Sequence, residues 1–219
     1  MDLLKLSSWT TDFPFSVEAV ALHPDTSLAF GTYPVVKFDL SEGTVLAKND
    51  IPIISDLAVN NDGSRVYGSS LESGEKSFFV TLDADDLSVV DKIPTGGSDQ
   101  VCRTDVEITP QGRYAVCATE AGKLLKVDLR AGEVSARINP EYDNPQQVAI
   151  VESGEKLEAW STHHNDEHSV TVVDLKEDTL LAHLRFHNRI RDIGRRPESN
   201  RILLTDGLEL KEFSTETKE

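Results

Sequence analysis

The sequence predicts an all-β chain: a single five-bladed β-propeller of four-stranded antiparallel blades over residues 1–219, its ring closed by an N-terminal strand that completes the last blade. Three observations carry this expectation. One strand–turn–strand phrase recurs five times, a turn-and-strand phrase precedes each copy, and no segment sustains a helical period.

The first phrase is clearest in Leu124–Ile138, LLKVDLRAGEVSARI. Val35–Ala47 (VVKFDLSEGTVLA) and Ser169–Leu184 (SVTVVDLKEDTLLAHL) repeat it. Phe78–Ile93 repeats it with one extra residue, and Leu208–Thr215 begins it and stops. The second phrase is a turn at His23-Pro24-Asp25, Asn61-Asp62-Gly63, Pro110-Gln111-Gly112, Glu152-Ser153-Gly154 or Pro197-Glu198-Ser199. Pro, Asp and Gly supply the turn dihedrals, and β-branched and aromatic residues flank them as strands require. Units recur at roughly 37 to 49 residues, a blade-sized period. They divide the chain into blades at about 15–51, 52–97, 98–140, 141–186 and 187–215. The fifth copy ends after three strands, while Leu3–Trp9 is a strand with no blade of its own. Placing residues 2–9 in that gap closes the ring and removes an exposed sheet edge.

Pro24-Asp25, Asp62-Gly63, Val66-Tyr67, Val127-Asp128-Leu129, Gly132 and Val172-Val173-Asp174-Leu175 together resemble the YVTN and WD40-like propeller repeats, more closely the former. The resemblance covers nearly the whole chain and implies blade packing. It carries over no catalytic residue, because the enzymes built on such blades are larger rings.

Composition narrows the function classes. With 38% hydrophobic and 27% charged residues the chain can build a packed core. A net charge of −16, from 38 acidic against 22 basic residues, repels phosphate backbones and anionic membranes, so neither nucleic acid nor membrane insertion is expected. No apolar run is long enough for a spanning helix, and Met1–Phe15 lacks the pattern of a secretory signal. A regular hairpin about Pro110-Gln111-Gly112 sets Cys117 opposite Asp105 and leaves Cys102 about 10 Å away at ~3.3 Å per residue, beyond disulfide reach. That reading gives two free thiols, a reducing compartment and a cytoplasmic protein.

In a propeller, the loops joining strands two and three and the links between blades emerge on one face, here called the top. Three sets of candidates fall there or at the channel. His163, His164 and His168 lie in one insertion beside Asp166 and Glu167, a set that could ligate zinc, or serve as a solvated loop. Asp56, Asp105 and Asp192 occupy one aligned channel position, completed by Gln147 and Ala19. They could hold Ca²⁺ or Mg²⁺, or accept backbone N–H groups from the next blade, which is the favoured reading. Arg185, Arg189, Arg191, Arg195, Arg196 and Arg201 crowd one short stretch with His187, a local reversal of sign suited to an acidic partner or to neighbouring carboxylates. Trp9, Tyr33, Tyr142 and Phe186 are candidate rim anchors, whereas Trp160 belongs to the core.

No nucleophile elbow, zinc-protease helix or paired C-x-x-C motif is present. The leading expectation is a non-enzymatic interaction or scaffold module that binds another protein, one with an acidic contact surface, as an accessory subunit of a larger assembly, with no cofactor. A metal-dependent hydrolase or small-ligand binder at the channel mouth, and a carbohydrate-binding propeller, are the alternatives.

Overall fold

The computed structural model describes residues 17, 19–32, 34–53, 55–72, 76–140, 145–153, 155–163, 168–195, 201–206 and 209–214. They form a five-bladed propeller. Blade one is β1 (Val20–Leu22), β2 (Leu28–Gly31), β3 (Val35–Asp39) and β4 (Thr44–Asn49). Blade two is β5 (Ala58–Val59), β6 (Arg65–Glu72), β7 (Lys76–Asp83) and β8 (Val89–Gly96), followed by a 3₁₀ turn at Ser98–Gln100. Blade three holds β9 (Cys102–Ile108), β10 (Tyr114–Thr119), β11 (Leu124–Asp128) and β12 (Glu133–Ile138). Blade four holds β13 (Pro145–Ser153), β14 (Lys156–His163), β15 (Ser169–Asp174) and β16 (Thr179–Arg185). Blade five shows β17 (Ile190–Arg195), β18 (Arg201–Asp206) and β19 (Glu209–Ser214) among the described residues. Each sheet runs in sequence order, with every neighbouring pair antiparallel. The expected closing strand, residues 2–9, lies outside the described residues. No described helix is long and apolar enough to cross a membrane.

The aspartate of the recurring phrase has a local cause. At the end of the third strand, Asp39 Oδ1 accepts the N–H of Ser41 (2.8 Å) and Glu42 (3.2 Å), and Asp128 Oδ1 those of Arg130 (3.0 Å) and Ala131 (2.9 Å). Asp174 repeats this with Lys176 and Glu177, and Asp83 with Asp85. A carboxylate that bonds the backbone two residues on builds the turn by itself. The turn then needs one left-handed residue. Gly43 and Gly132 supply it at φ 66° and 69°, but Leu87 and Asp178 hold the same conformation at φ 61° and 55°. Such residues persist where surroundings fix them: Leu87 is fully buried, and Asp178 is clasped by Lys126 of blade three.

Apolar layers fill the spaces between successive blades. Phe30, Val35, Ile53 and Leu82 pack between blades one and two, and Tyr67, Phe79, Leu125 and Val127 between two and three. Val116, Leu124, Ile150 and Leu157 join three to four, and Trp160, Val172, Ile193 and Ile202 join four to five. Two buried lysines tie neighbouring blades across these layers. Lys126 Nζ donates to Leu175 O (2.8 Å) and pairs with Asp178, while Lys37 Nζ donates to Asp85 O (3.2 Å). Both stand two residues before the turn aspartate, so the same register position serves blades one and three.

The expectation of free thiols is overturned. Cys102 and Cys117 form a disulfide with Cα atoms 5.8 Å apart. A straight hairpin does not describe this blade: Cys117 pairs with Val106 rather than Asp105, and Thr119 pairs with Cys102. Two steps along β10 therefore match four along β9, and the bulge folds the excess chain outward and returns Cys102 to its partner. The inference of a reducing, cytoplasmic setting loses this support.

Removing the buried ammonium leaves the Leu175 carbonyl without its donor in a dry layer. Lys126→Met is expected to lower stability by about 2–4 kcal/mol, and Lys37→Met, whose partner Asp85 is fully in solvent, by about 1 kcal/mol, read from urea midpoints. Under denaturing, non-reducing conditions the intact chain should take up no thiol alkylating reagent, and alkylation at both cysteines would show that the bridge is absent.

Candidate functional site

At the top of the inner strands, the ladder is broken three times at one level. β9 is irregular between the partners of Cys117 and Thr119, β13 between Pro145 and Val148, and β17 between Ile190 and Ile193. Residues released from pairing at these places are Arg103-Thr104-Asp105, Gln146-Gln147 and Arg191-Asp192. Bulges re-aim side chains, and here Thr104, Asp105, Gln146, Gln147 and Arg191 reach the mouth from them. Hydroxyls of the second strand catch backbone groups near the mouth: Gln147 N–H donates to Thr162 Oγ1 (3.2 Å), and in blade one Ala19 N–H donates to Thr32 Oγ1 (3.1 Å).

The result is a polar cavity of about 530 Å³ at the channel mouth, a size typical of ligand sites. Asp56, Asp105, Gln147 and His163 line it, with Arg189 and Arg191 at one side. Asp105 Oδ2 accepts the Val148 N–H of the next blade at 3.2 Å, and Asp56 N–H donates to Thr104 O at 3.3 Å. Asp192 Oδ1 takes the amide of Gln147 (3.0 Å) and its own strand's Ile193 N–H (2.9 Å). Backbone capture across the blade boundary thus holds for Asp105. Asp192 instead faces a side chain of the neighbouring blade.

Burial, then the hydrogen bond and charge of Asp56, push the Asp105 carboxyl up to about 8, against the Val148 N–H bond, which favours the anion. The Asp56–Asp105 pair therefore favours a proton on Asp105 to a higher pH than an ordinary carboxyl would. His163 is buried at the end of β14, its Nε2 2.7 Å from Thr171 Oγ1, and not in the insertion where the sequence placed it. His168 is exposed, and His164 lies outside the described residues. Among the described residues no three His, Cys, Asp or Glu side chains converge on a common metal position.

Among the described residues the arginines do not form one patch. Arg189 and Arg191 stand at this mouth, Arg195 at the far end of the same strand on a second cavity, Arg185 on the outer strand β16, and Arg201 bonds Glu212 at 2.6 Å. Exposed His187 lies beside Arg185, while Phe186 is half-buried edge-on against Phe213 (5.6 Å) under Lys211. Trp9, Tyr33, Tyr142 and Arg196 lie outside the described residues. Thr104, Gln146 and Thr162 were missed in the sequence. Their only signal was adjacency to an aligned position, which matters once a bulge is known.

The Asp105 shift has a pH consequence. Its folded proton affinity is raised above the unfolded value of 3.8, so the unfolded state ionises first. The associated stability is fully present below that value and is lost as pH rises toward about 8. Asp105→Asn, which keeps both hydrogen-bonding roles, should equal wild type near pH 4 and exceed it by about 1–3 kcal/mol near pH 8, measured by urea titration. Parallel curves across that range would remove the proton from the pair.

No protein-family model matches the sequence, and no curated protein matches it. Among solved structures, the chain is similar to hydrazine synthase from Kuenenia stuttgartiensis, with a TM-score of 0.71 at 20% identity over 94% of this chain. The match covers 59% of that chain, so the present sequence spans little more than half its length. At this identity the likeness is one of fold: a β-propeller.

Proposed function

We propose that the protein is a non-enzymatic interaction module, an accessory subunit that receives an acidic segment of a partner protein at the top mouth. One observation carries this reading: on a chain of net charge −16, Arg189 and Arg191 stand together on a polar cavity large enough for side chains of another protein. Guanidinium groups bind carboxylates through paired N–H donors.

A second reading, a small polar ligand in the same cavity, is favoured by its volume and by the nearness of His163 to the Asp pair. The two separate by size of occupant. Arg189→Glu with Arg191→Glu should weaken binding of a poly-glutamate probe at least tenfold, about 1.4 kcal/mol, with an unchanged melting temperature. The same variant should lose proteins that the wild type retains from the native source. Equal retention and equal probe affinity would end the proposal, and saturable binding of a small metabolite that excludes the probe would favour the second reading.

A further inference from the structure

We propose that the top mouth receives a chain end: the free C-terminal carboxylate of the partner protein, entering along the channel axis. The inference rests on the reading of that mouth as the dock for an acidic segment, and it names which part of the segment enters. In a ring of five blades, blade five stands across the channel from the boundary between blades two and three. The lining follows this layout. Arg189, just before β17, and Arg191 on β17 come from blade five. Asp56, just before β5, and Asp105 on β9 come from blades two and three, tied across their boundary by the Asp56 N–H to Thr104 O bond (3.3 Å). Gln146 and Gln147 of blade four stand on the wall between. Guanidinium groups therefore face carboxyl groups across the opening.

Size decides how a chain can enter. Spacings of ~4.8 Å between strands, ~10 Å between sheets and ~3.3 Å per residue give an extended chain a volume of ~160 Å³ per residue. The cavity of about 530 Å³ then holds about three residues of a single strand. A reversing turn takes about four residues before the arms that lead in and out. An internal segment cannot double back inside, whereas a chain end needs only one passage. Chemistry points the same way. Among the described residues lining the mouth, Ile190 alone is apolar, and it is buried in the layer between blades four and five. The methylenes of a glutamate side chain reaching in from outside would find no apolar wall. A chain end is polar along its whole backbone. Its carboxylate takes the forked donors of the guanidinium groups, and its last peptide N–H groups turn to the carboxyl oxygens opposite. Gln146 and Gln147 carry the same pairing of donor and acceptor as the peptide groups that pass them.

The test uses the full chain and fluorescence anisotropy with peptides labelled at the N-terminus. One probe is Gly-Gly-Glu-Glu-Glu with a free C-terminus. Its control is the C-terminal amide of the peptide one glutamate longer, which carries the same net charge. A third peptide is the free acid methylated on its last peptide nitrogen. The free acid is expected to bind saturably, at least about tenfold tighter than either of the others. Arg189→Glu with Arg191→Glu should weaken the free acid at least about tenfold and erase its advantage over the amide, with an unchanged melting temperature. Both arginines are exposed, so the fold does not depend on them. Equal binding of acid and amide, both lost in the arginine variant, would overturn the chain-end inference and leave the acidic-segment reading standing. Equal binding of the methylated peptide, or an arginine variant that binds the free acid unchanged, would also overturn it. No saturable binding of these peptides or of poly-glutamate would overturn the inference and the reading beneath it together.

Discussion

A blade of this protein has two apolar faces, and neither can be left in water. Leu124 and Val116 turn to blade four while Leu125 and Cys117 of the same strands turn to blade two. Strand alternation guarantees this division. Each blade must therefore be sandwiched, and right-twisted sheets stacked face to face wrap around an axis. The inner strands are brought to a common channel by that packing and by nothing local to them. Polar ties then fix the blades' relative positions, with Lys37 and Lys126 each reaching a turn of the next blade.

The channel so formed carries charged side chains toward both ends. Along β9, Asp105 and Glu107 face it two residues apart, one toward each mouth. Along β17, Arg191 and Arg195 are divided in the same way. Bulges at the top turn polar residues inward and make that mouth wet and roomy. Below them the ladders are regular and the space is smaller.

The bulge in β9 has a second effect. It carries Asp105 into the channel and, through the extra chain it stores, closes Cys102 onto Cys117. The disulfide and the cavity-lining carboxyl are thus consequences of one irregularity in pairing. A crosslink across the loop of an inner hairpin restrains the unfolded chain and holds the strand ends together.

Blade number and strand order were legible in the sequence because they are written locally. The aspartate that ends the third strand of blades one to four bonds the backbone two residues on, and it does so whatever the chain does elsewhere. The buried place of Trp160 and the channel alignment of Asp56 and Asp105 follow from strand alternation and from counting repeats. The bulges were not legible. Thr104-Asp105, Gln146-Gln147 and Arg191-Asp192 share no residue type, and a lost ladder bond leaves no mark on composition. For that reason the regular-hairpin estimate set the cysteines apart, the arginine run read as one patch, and His163 read as loop. By itself the sequence determined the repeated conformation of short stretches, since that is settled by neighbours along the chain. Only the tertiary structure decided which side chains share a cavity, since that depends on the register between strands distant in sequence and on the layers that press them together.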